Sequence, residues 1–281
     1  RKLKRRLFAF VGVAGLAVVA GIAGLVLNFA ATQVNNQDYD LKIASSDPTG
    51  YYEAINIYPA RTEAYNKLID YYKNYGAEND SIARIGNELE KHADQLDTTL
   101  PDVAQLYYDT GKLYFADYDG ALKARAANAK GYFEVASNGT ADFGKKDIAS
   151  CYYSICKFMT SQSTTSEHAL DDYTKLFEEI NQAMAIVENA NDSESNYDKI
   201  SLYYVTLLLI NDQSKYMAGV GFNQQEALNM MEAIYKKTIA ITSTLPYVTE
   251  LQDKIKGDYE TFVTTVNNNY NEVAKRQNGG N

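Results

Sequence analysis

Apolar and polar positions alternate with a helical period along most of the chain. In the segment EAYNKLIDYYKNY (Glu63–Tyr75), apolar side chains recur every three or four residues, which is the spacing of one face of an α-helix. The same period predicts further helices at about 81–96, 102–118, 121–136, 146–160, 167–189, 197–218, 224–242 and 247–276. The period-two alternation that is typical of β-strands is absent from the sequence. The pattern therefore predicts an all-α fold.

The predicted helices pair into units of about 35 to 45 residues, which is the length of helical repeats. In one pair the small and aromatic positions follow the tetratricopeptide order, with Tyr107, Gly111 and Tyr114 on the first helix and Ala129, Phe133 and Ala136 on the second. Small residues let two helices approach, and aromatic residues fill the seam between units. The sequence therefore predicts an extracytoplasmic, tetratricopeptide-like α-solenoid of stacked helical hairpins over residues 51–276.

The N-terminus has a different pattern. Residues 1–6 (RKLKRR) carry five positive charges, and Leu7–Ala31 follows without any charge. A helix of that length would measure about 37 Å, enough to cross a hydrocarbon core of about 30 Å with tilt. The basic flank places the N-terminus in the cytoplasm by the positive-inside rule. We predict one membrane-spanning helix at 7–31 in the plasma membrane, a juxtamembrane linker or helix at 32–50, and a disordered tail at 277–281.

A cleaved signal peptide is the alternative for this segment, because small residues follow Phe29. Secretory apolar regions usually run about 7 to 15 residues, so the longer run favours a membrane anchor. Within it, small or polar residues recur four positions apart at Ala17, Ala20, Gly21, Gly24 and Asn28. Such spacing lets membrane helices approach closely, which predicts lateral association and a homo-oligomer or membrane complex. The alternative is the ordinary composition of a bacterial membrane helix.

Charge and composition exclude several classes of protein. The net charge is −9, and removing the five basic charges of the first six residues leaves −14 for the outer region. An acidic domain repels phosphate backbones, so no nucleic acid partner is expected. The chain has two His and two Cys, which are too few for an ordinary zinc site, and we assign no role to His92 or His168. No metal and no cofactor are predicted.

No catalytic residue emerges from the remaining motifs. The acidic pairs at 171–172 and 178–179 are interpreted as solvated helix faces, and the DYDG segment at 117–120 lacks the rest of a calcium-binding loop. The glycines of Gly219–Gly221 follow no strand, so they do not form a dinucleotide loop. Cys151 and Cys156 point to different faces of one helix and are interpreted as small buried apolar residues. The sequence predicts a protein that is not an enzyme.

Tyrosine is the most unusual feature, with 24 Tyr and no Trp. Several occur as doublets on predicted helices, where adjacent side chains diverge by about 100°. One ring of a doublet can then enter the core while its neighbour faces a groove, and tyrosine suits binding surfaces. The candidate partner-binding residues are Tyr71, Tyr72, Tyr107, Tyr108, Tyr114, Tyr152, Tyr153, Tyr203 and Tyr204. The alternative is that tyrosine fills the core in place of Trp and Phe.

Three segments carry a resemblance to a known family: DYDLKI at Asp38–Ile43, IYPARTEAYNKLIDYY at Ile57–Tyr72 and LYYDTGKLYF at Leu106–Phe115. With the basic flank and the apolar run, they resemble the extracytoplasmic tetratricopeptide-like region of Firmicutes serine/threonine kinase-like receptors. The resemblance implies a kinase or pseudokinase domain upstream of Arg1, although this sequence carries no kinase motif. The layout is also similar to the pseudokinase membrane subunit of the Gram-positive type VII secretion system.

These observations predict a membrane-anchored, extracytoplasmic scaffold or sensor domain that binds a protein or peptide. In this hypothesis the membrane helix transmits the assembly of the chains to the cytoplasm for signalling. The alternative is a structural subunit of a secretion or cell-envelope complex. An extracytoplasmic hydrolase or sugar-binding protein is disfavoured, because clefts of that kind usually use Trp platforms and paired acids.

Overall fold

The computed structural model of the chain describes residue 28 and the ranges 31–76, 78–161, 167–190 and 193–279. Every regular element in these residues is helical, and no strand occurs among them. This confirms the predicted all-α class.

The helices are numbered in chain order. They are α1 (residues 31–44), α2 (Pro48–Ile57), α3 (Thr62–Tyr75), α4 (Asn79–Lys91), α5 (Pro101–Lys112), α6 (Leu122–Asn138), α7 (Lys146–Thr160), α8 (Ala169–Glu188), α9 (Ser193–Gly219), α10 (Gln224–Ala240) and α11 (Pro246–Asn278). A 3₁₀ turn at Ala93–Gln95 follows α4, and a π-helical segment at Leu113–Asp117 follows α5.

Most predicted boundaries lie within a few residues of the observed ones. Pro101 and Pro246 occupy the first turn of their helices, where a missing N–H costs nothing. Two predicted helices are interrupted: 81–96 ends as an α-helix at Lys91, and 102–118 becomes π-helical from Leu113. The C-terminal helix reaches Asn278, so the first two residues of the predicted disordered tail are helical.

The chain divides into two compact units, the first up to Lys67 and the second from Leu68. In the first unit, the Arg61 guanidinium lies 4.7 Å from the ring centroid of Tyr39 and 4.1 Å from that of Tyr58. The same guanidinium donates to the Asn36 side chain at 2.8 Å. Cation–π contacts and this hydrogen bond therefore tie α1 to the segment between α2 and α3.

In the second unit, consecutive helices from α4 to α11 pack on one another, and α9 is the central element. Every residue from 197 to 207 is buried, which is about three turns with no solvent-facing side. Helix α9 packs against α6, α8, α10, α11 and the π-helical segment. A regular solenoid has contacts between neighbouring repeats only. The contact of α9 with α6 goes beyond that pattern, and the hairpin solenoid is not confirmed.

The predicted membrane helix at 7–31 lies almost entirely outside the described residues. Within them, no helix combines the length and the apolar character that a membrane crossing requires.

Candidate functional site

A cluster of buried charges surrounds Lys112, the last residue of α5. Its side chain is fully buried, and its Nζ lies 2.6 Å from Asp198 Oδ1, 3.0 Å from Asp109 Oδ1 and 3.5 Å from Glu194 Oε1. Glu194 lies in the first turn of α9, where an acidic side chain interacts favourably with the helix dipole, and Asp198 follows one turn later. We call these four residues, with Lys73 and Lys145, the ionic cluster.

The two further lysines complete the charge balance. Lys73 Nζ, from α3, lies 3.2 Å from Glu194 Oε1, and its side chain is only 4% exposed. Lys145, just before α7, has its Nζ 2.9 Å from Asp198 Oδ2. Three ammonium groups thus face three carboxylates. Such compensation is what a buried charge requires, because an unpaired ion in a protein interior is strongly destabilising.

The pKa values of the cluster follow this pairing. Burial by itself would lower the pKa of Lys112, but Asp198, Asp109 and Glu194 hold it well above the usual lysine value. Burial would raise the pKa of Asp109, but Lys112, Lys73 and Lys145 together with the Gln105 amide lower it to about 2. The pKa of Asp198 is lowered too, since Lys112 and Lys145 outweigh its burial. All three groups are therefore charged at neutral pH.

Two buried tyrosines line the cluster. The Tyr108 hydroxyl donates to Asp198 Oδ1 at 3.0 Å, and the Tyr197 hydroxyl donates to Asp117 Oδ2 at 2.6 Å. Lys112 Nζ lies 4.6 Å from the Tyr108 ring centroid and 4.3 Å from that of Tyr197. The rings therefore combine hydrogen bonding at their hydroxyls with cation–π contacts at their faces.

The π-helical segment sets the position of Asp117. The Tyr118 N–H donates to the Leu113 carbonyl at 3.0 Å, the wider hydrogen bond that defines a π-turn. The buried Arg125 donates from Nε to the Phe115 carbonyl and from Nη2 to the Ala116 carbonyl, both at 2.8 Å. These carbonyls lie at a helix end, where intrahelical partners are missing. Arg125 thus caps the segment that carries Asp117.

A pocket of about 290 Å³ opens beside the ionic cluster. Its walls come from the end of α3, the π-helical segment and the first turns of α11. The lining residues are Tyr72, Lys73, Tyr75, Gly76, Glu78, Leu113, Asp117, Tyr247, Glu250 and Lys254. Gly76 has φ +85, a left-handed conformation that ends α3 at low cost only for glycine. Lys73 belongs to both the cluster and the pocket, so the two form one site.

Tyrosine rings form the rim of this pocket. Tyr75 is 76% exposed, and Tyr71 and Tyr72 are half-buried. The ring centroids of Tyr71 and Tyr75 are 4.7 Å apart, and Tyr71 meets Tyr72 edge-on at 5.5 Å. From α11, the half-buried Tyr247 also lines the pocket and packs edge-on against Tyr197 at 4.8 Å. We call the pocket-lining Tyr72, Tyr75 and Tyr247, together with Tyr71 packed against the first two, the tyrosine rim.

Of the nine tyrosines predicted to bind a partner, three have accessible surface and six do not. Tyr71, Tyr72 and Tyr153 are half-buried, and for them the prediction stays a prediction. The other six are 8% exposed or less: Tyr107, Tyr108, Tyr114, Tyr152, Tyr203 and Tyr204. Their rings pack inside the protein, as in the Phe133–Tyr152 stack at 4.7 Å, so their assignment to a partner-binding face is corrected. Tyrosine replaces Trp and Phe in the core at these positions.

The predicted membrane-association residues Ala17, Ala20, Gly21 and Gly24 lie outside the described residues. Asn28 is helical and exposed. Cys151 and Cys156 are both buried and free, which confirms their interpretation as small core residues. In the described ranges, no three His, Cys, Asp or Glu side chains are arranged to hold a metal ion.

Sequence reasoning missed the ionic cluster. The segment LYYDTGKLYF contained an indication of it. Lys112 stands one helical turn after Tyr108 and is followed directly by apolar and aromatic residues. A lysine in a core-facing position of a helix needs a buried counter-ion. One counter-ion, Asp109, stands in the same segment, but Asp198 and Glu194 come from α9, more than eighty positions later, so the sequence pattern could not identify those two.

Together, the fold and the site define an all-helical domain with a tyrosine-rimmed pocket beside a buried ionic cluster. Comparison with known proteins adds nothing to this description: no family model matches the chain, and no curated protein or solved structure is significantly similar to it.

Proposed function

We propose that this chain is a non-enzymatic, membrane-anchored scaffold or sensor whose outer helical domain binds a protein or peptide segment at the tyrosine rim. The observation that carries the proposal is the exposed Tyr75 and the half-buried Tyr72 in the lining of a pocket, with Tyr71 packed against both rings. Exposed aromatic rings beside a concave site are the residues that most often dominate protein binding energy.

The charge state of the site supports binding over catalysis. A general acid or base works best with a pKa near the ambient pH, whereas the pKa of Asp109 is about 2. Asp198 and Lys112 are also held in their charged forms by mutual pairing. Charges fixed in this way do not exchange protons readily.

The membrane part of the proposal rests on the sequence pattern of residues 1–31, with its one-sided basic flank. The hairpin-stack part is supported by the contact of α5 with α6. A Cβ on Gly111 would lie 2.9 Å from the Phe133 ring, so a glycine is needed at this helix crossing, as in tetratricopeptide hairpins. In this proposal the chain is the outer part of a kinase-like receptor, in line with the family resemblance.

A structural subunit of a secretion or cell-envelope complex is the second candidate. One observation favours it: a second concave surface along α7 and α8. Two adjoining pockets of about 250 and 240 Å³ share Ser154 and Glu179 there, beside the exposed Ile186. A subunit with two separate binding surfaces fits an assembly better than a single-ligand receptor does.

Site-specific photo-crosslinking in the native membrane tests the proposal. A photoreactive phenylalanine replaces Tyr75 in the full chain, and a control replaces Tyr216, which is 52% exposed on α9. We expect a discrete crosslinked protein from position 75 and none from position 216. Crosslinks of equal yield at both positions, or none at position 75, contradict binding at the tyrosine rim. A third variant carries the photoreactive residue in place of Ile186. A crosslinked protein from that position in addition to the one from position 75 favours the assembly subunit.

A further inference from the structure

The pocket lining carries more carboxylates than ammonium groups. It contains three carboxylates, from Glu78, Asp117 and Glu250, and the ammonium groups of Lys73 and Lys254. Lys73 Nζ is 3.2 Å from Glu194, and Lys254 Nζ is 3.4 Å from Glu250. Both lysines therefore already have a carboxylate partner. The negative charge that remains at the pocket belongs to Glu78 and Asp117.

We propose that this pocket binds the ammonium or guanidinium group of a Lys or Arg side chain on the partner segment. The inference rests on the proposed function and adds the chemistry of the residue that enters the pocket. A volume of about 290 Å³ is at the lower end of small-ligand pockets, so it suits one long side chain.

The tyrosine rings supply the first attraction for such a cation. Tyr72, Tyr75 and Tyr247 all line the pocket, and the face of a tyrosine ring attracts an ammonium or guanidinium group. The chain already uses the same contact internally: Lys73 Nζ lies 4.6 Å from the Tyr197 ring centroid and 6.0 Å from that of Tyr247. A second cation on the open side of the rim would meet rings of the same kind.

Asp117 supplies the second attraction. It accepts a hydrogen bond from the Tyr197 hydroxyl at 2.6 Å, and burial raises its pKa although Tyr197, Lys254, Lys73 and Lys112 act in the opposite direction. The Tyr197 hydroxyl is neutral, so this hydrogen bond leaves the negative charge of the ionised carboxylate in place where it faces the pocket. An entering cation would compensate it, and the net charge of −9 favours the approach of a basic segment.

An anionic ligand fits the same pocket poorly. To hold a carboxylate or phosphate, Lys73 and Lys254 would have to leave Glu194 and Glu250, and those two acids would then be left near the ligand. Lys73 is only 4% exposed, and a buried charge that loses its partner is strongly destabilising. The arrangement therefore selects cations over anions.

Fluorescence anisotropy with three labelled peptides tests the proposal on the full chain in detergent. The probes share the sequence Gly-X-Gly-X-Gly, with X as Lys, norleucine or Glu, so only the side-chain terminus differs. The measurement is made at about 150 mM salt, where long-range attraction is screened beyond roughly 8 Å. We expect the Lys peptide to bind at least tenfold more tightly than either of the others.

Matched variants locate the site. The double variant Glu78→Gln with Asp117→Asn should weaken Lys-peptide binding at least fivefold, and Tyr75→Leu at least threefold. The controls Glu232→Gln and Tyr216→Leu change an exposed acid on α10 and an exposed tyrosine on α9, and they should leave binding within twofold. Circular dichroism confirms that each variant is folded. Equal losses in variants and controls would overturn the proposal in favour of diffuse electrostatic attraction.

The remaining outcomes separate this inference from the function on which it rests. Equal binding of the Lys, norleucine and Glu peptides, weakened by Tyr75→Leu, overturns the cation preference and leaves peptide binding at the rim in place. No binding of any peptide, together with no crosslink from position 75, overturns both. Free spermidine serves as a competitor: if it displaces the Lys peptide at a lower concentration than unlabelled peptide does, a small polyamine is the ligand and the peptide assignment fails.

Discussion

At the scale of single residues, Lys112 shows how the fold accommodates a charge in its interior. The side chain has no exposure, and its ammonium is held by three carboxylates and two tyrosine rings. Replacing a whole buried ion network by apolar residues is often neutral for stability, whereas removing one member is not. The cluster therefore makes Lys112, Asp109 and Asp198 mutually dependent.

The first prediction concerns Lys112→Met. The substitution keeps the length of the side chain but leaves Asp109 and Asp198 with less compensation, so the free energy of unfolding should fall by about 3–5 kcal/mol. Urea denaturation of the full chain in detergent, followed by circular dichroism, measures it. The control Lys236→Met removes an exposed lysine paired with Glu232 and should leave the urea midpoint almost unchanged. Similar effects of the two variants would contradict the structural role of the cluster.

The second prediction concerns acid pH. Because the pKa of Asp109 is about 2 in the folded protein, against an ordinary value of 3.8, protons bind more readily to the unfolded chain. Asp109 therefore contributes about 2 kcal/mol of stability above pH 3.8, which is lost as the pH falls toward 2. The lowered pKa of Asp198 acts with the same sign, and the raised pKa of Asp117 acts with the opposite sign.

Urea midpoints at pH 6, 4 and 3 measure this dependence. Asp109→Asn should reduce the loss of stability between pH 4 and 3, whatever its effect at pH 6. Asp253→Asn, an exposed position on α11, should leave the pH dependence as it is in the parent chain. An unchanged slope in Asp109→Asn would show that Asp109 is not held ionised by the cluster.

At the scale of elements, the transition from α5 to the π-helical segment determines where the pocket wall lies. The turn widens at Leu113–Asp117, and Arg125 from α6 satisfies two carbonyls at its end. π-Helical turns are rare and are frequent at functional sites. In this chain the segment carries Leu113 and Asp117 into the pocket lining.

The third prediction is that Arg125→Met weakens this segment locally. The Phe115 and Ala116 carbonyls would lose their donors, at a cost of about 1–3 kcal/mol for each buried group left unpaired. Amide hydrogen exchange should accelerate in residues 113–121 more than in α10, which serves as the internal reference. Arg125→Lys keeps one charged donor and should show a smaller acceleration. Uniform acceleration throughout the second unit would point to global destabilisation instead of loss of a cap.

The fourth prediction uses two glycines on packed helices. Gly111 faces the Phe133 ring, and a Cβ there would lie 2.9 Å from it, so Gly111→Ala should destabilise the protein by about 1–3 kcal/mol. Gly131 is an exposed residue of α6 where an added methyl group would meet nothing within 4 Å, and Gly131→Ala should stabilise by about 0.5–1 kcal/mol through helix propensity. Thermal unfolding distinguishes the two signs. Stabilisation by both substitutions would show that the α5–α6 crossing tolerates a side chain.

At the scale of the whole molecule, the two compact units and the predicted membrane helix belong to one chain. The fifth prediction concerns that helix. Replacing Gly21 and Gly24 with Leu should at least halve the crosslinking of chains within the membrane, because bulkier residues keep helix backbones apart. Chemical crosslinking of the full chain in native membranes measures it. Replacing Leu25 and Leu27 with Ala is the control. An unchanged crosslinking yield in the glycine variant would contradict association through the small residues at 21 and 24.

The sequence by itself determined the helical class and the approximate extent of most helices. Periodicity, proline at the first turns and turn residues between helices are local properties, and they act over a few positions. It also indicated Tyr71 and Tyr72 as candidate binding residues; Tyr72 lines the pocket, and Tyr71 packs edge-on against it. It did not separate these from Tyr108 or Tyr152, because adjacent tyrosines on a helix differ only in the direction they face.

Tertiary structure alone decided which side chains meet. The central position of α9 brings Asp198 within 2.6 Å of Lys112, and Glu194 within 3.2 Å of Lys73. Those pairs join positions between 86 and 121 residues apart, far beyond the reach of helical periodicity. Burial and Coulomb interactions depend on distance in space and on the exclusion of water. The local pattern therefore specified the helices, whereas the packing around α9 created the ionic cluster and the pocket.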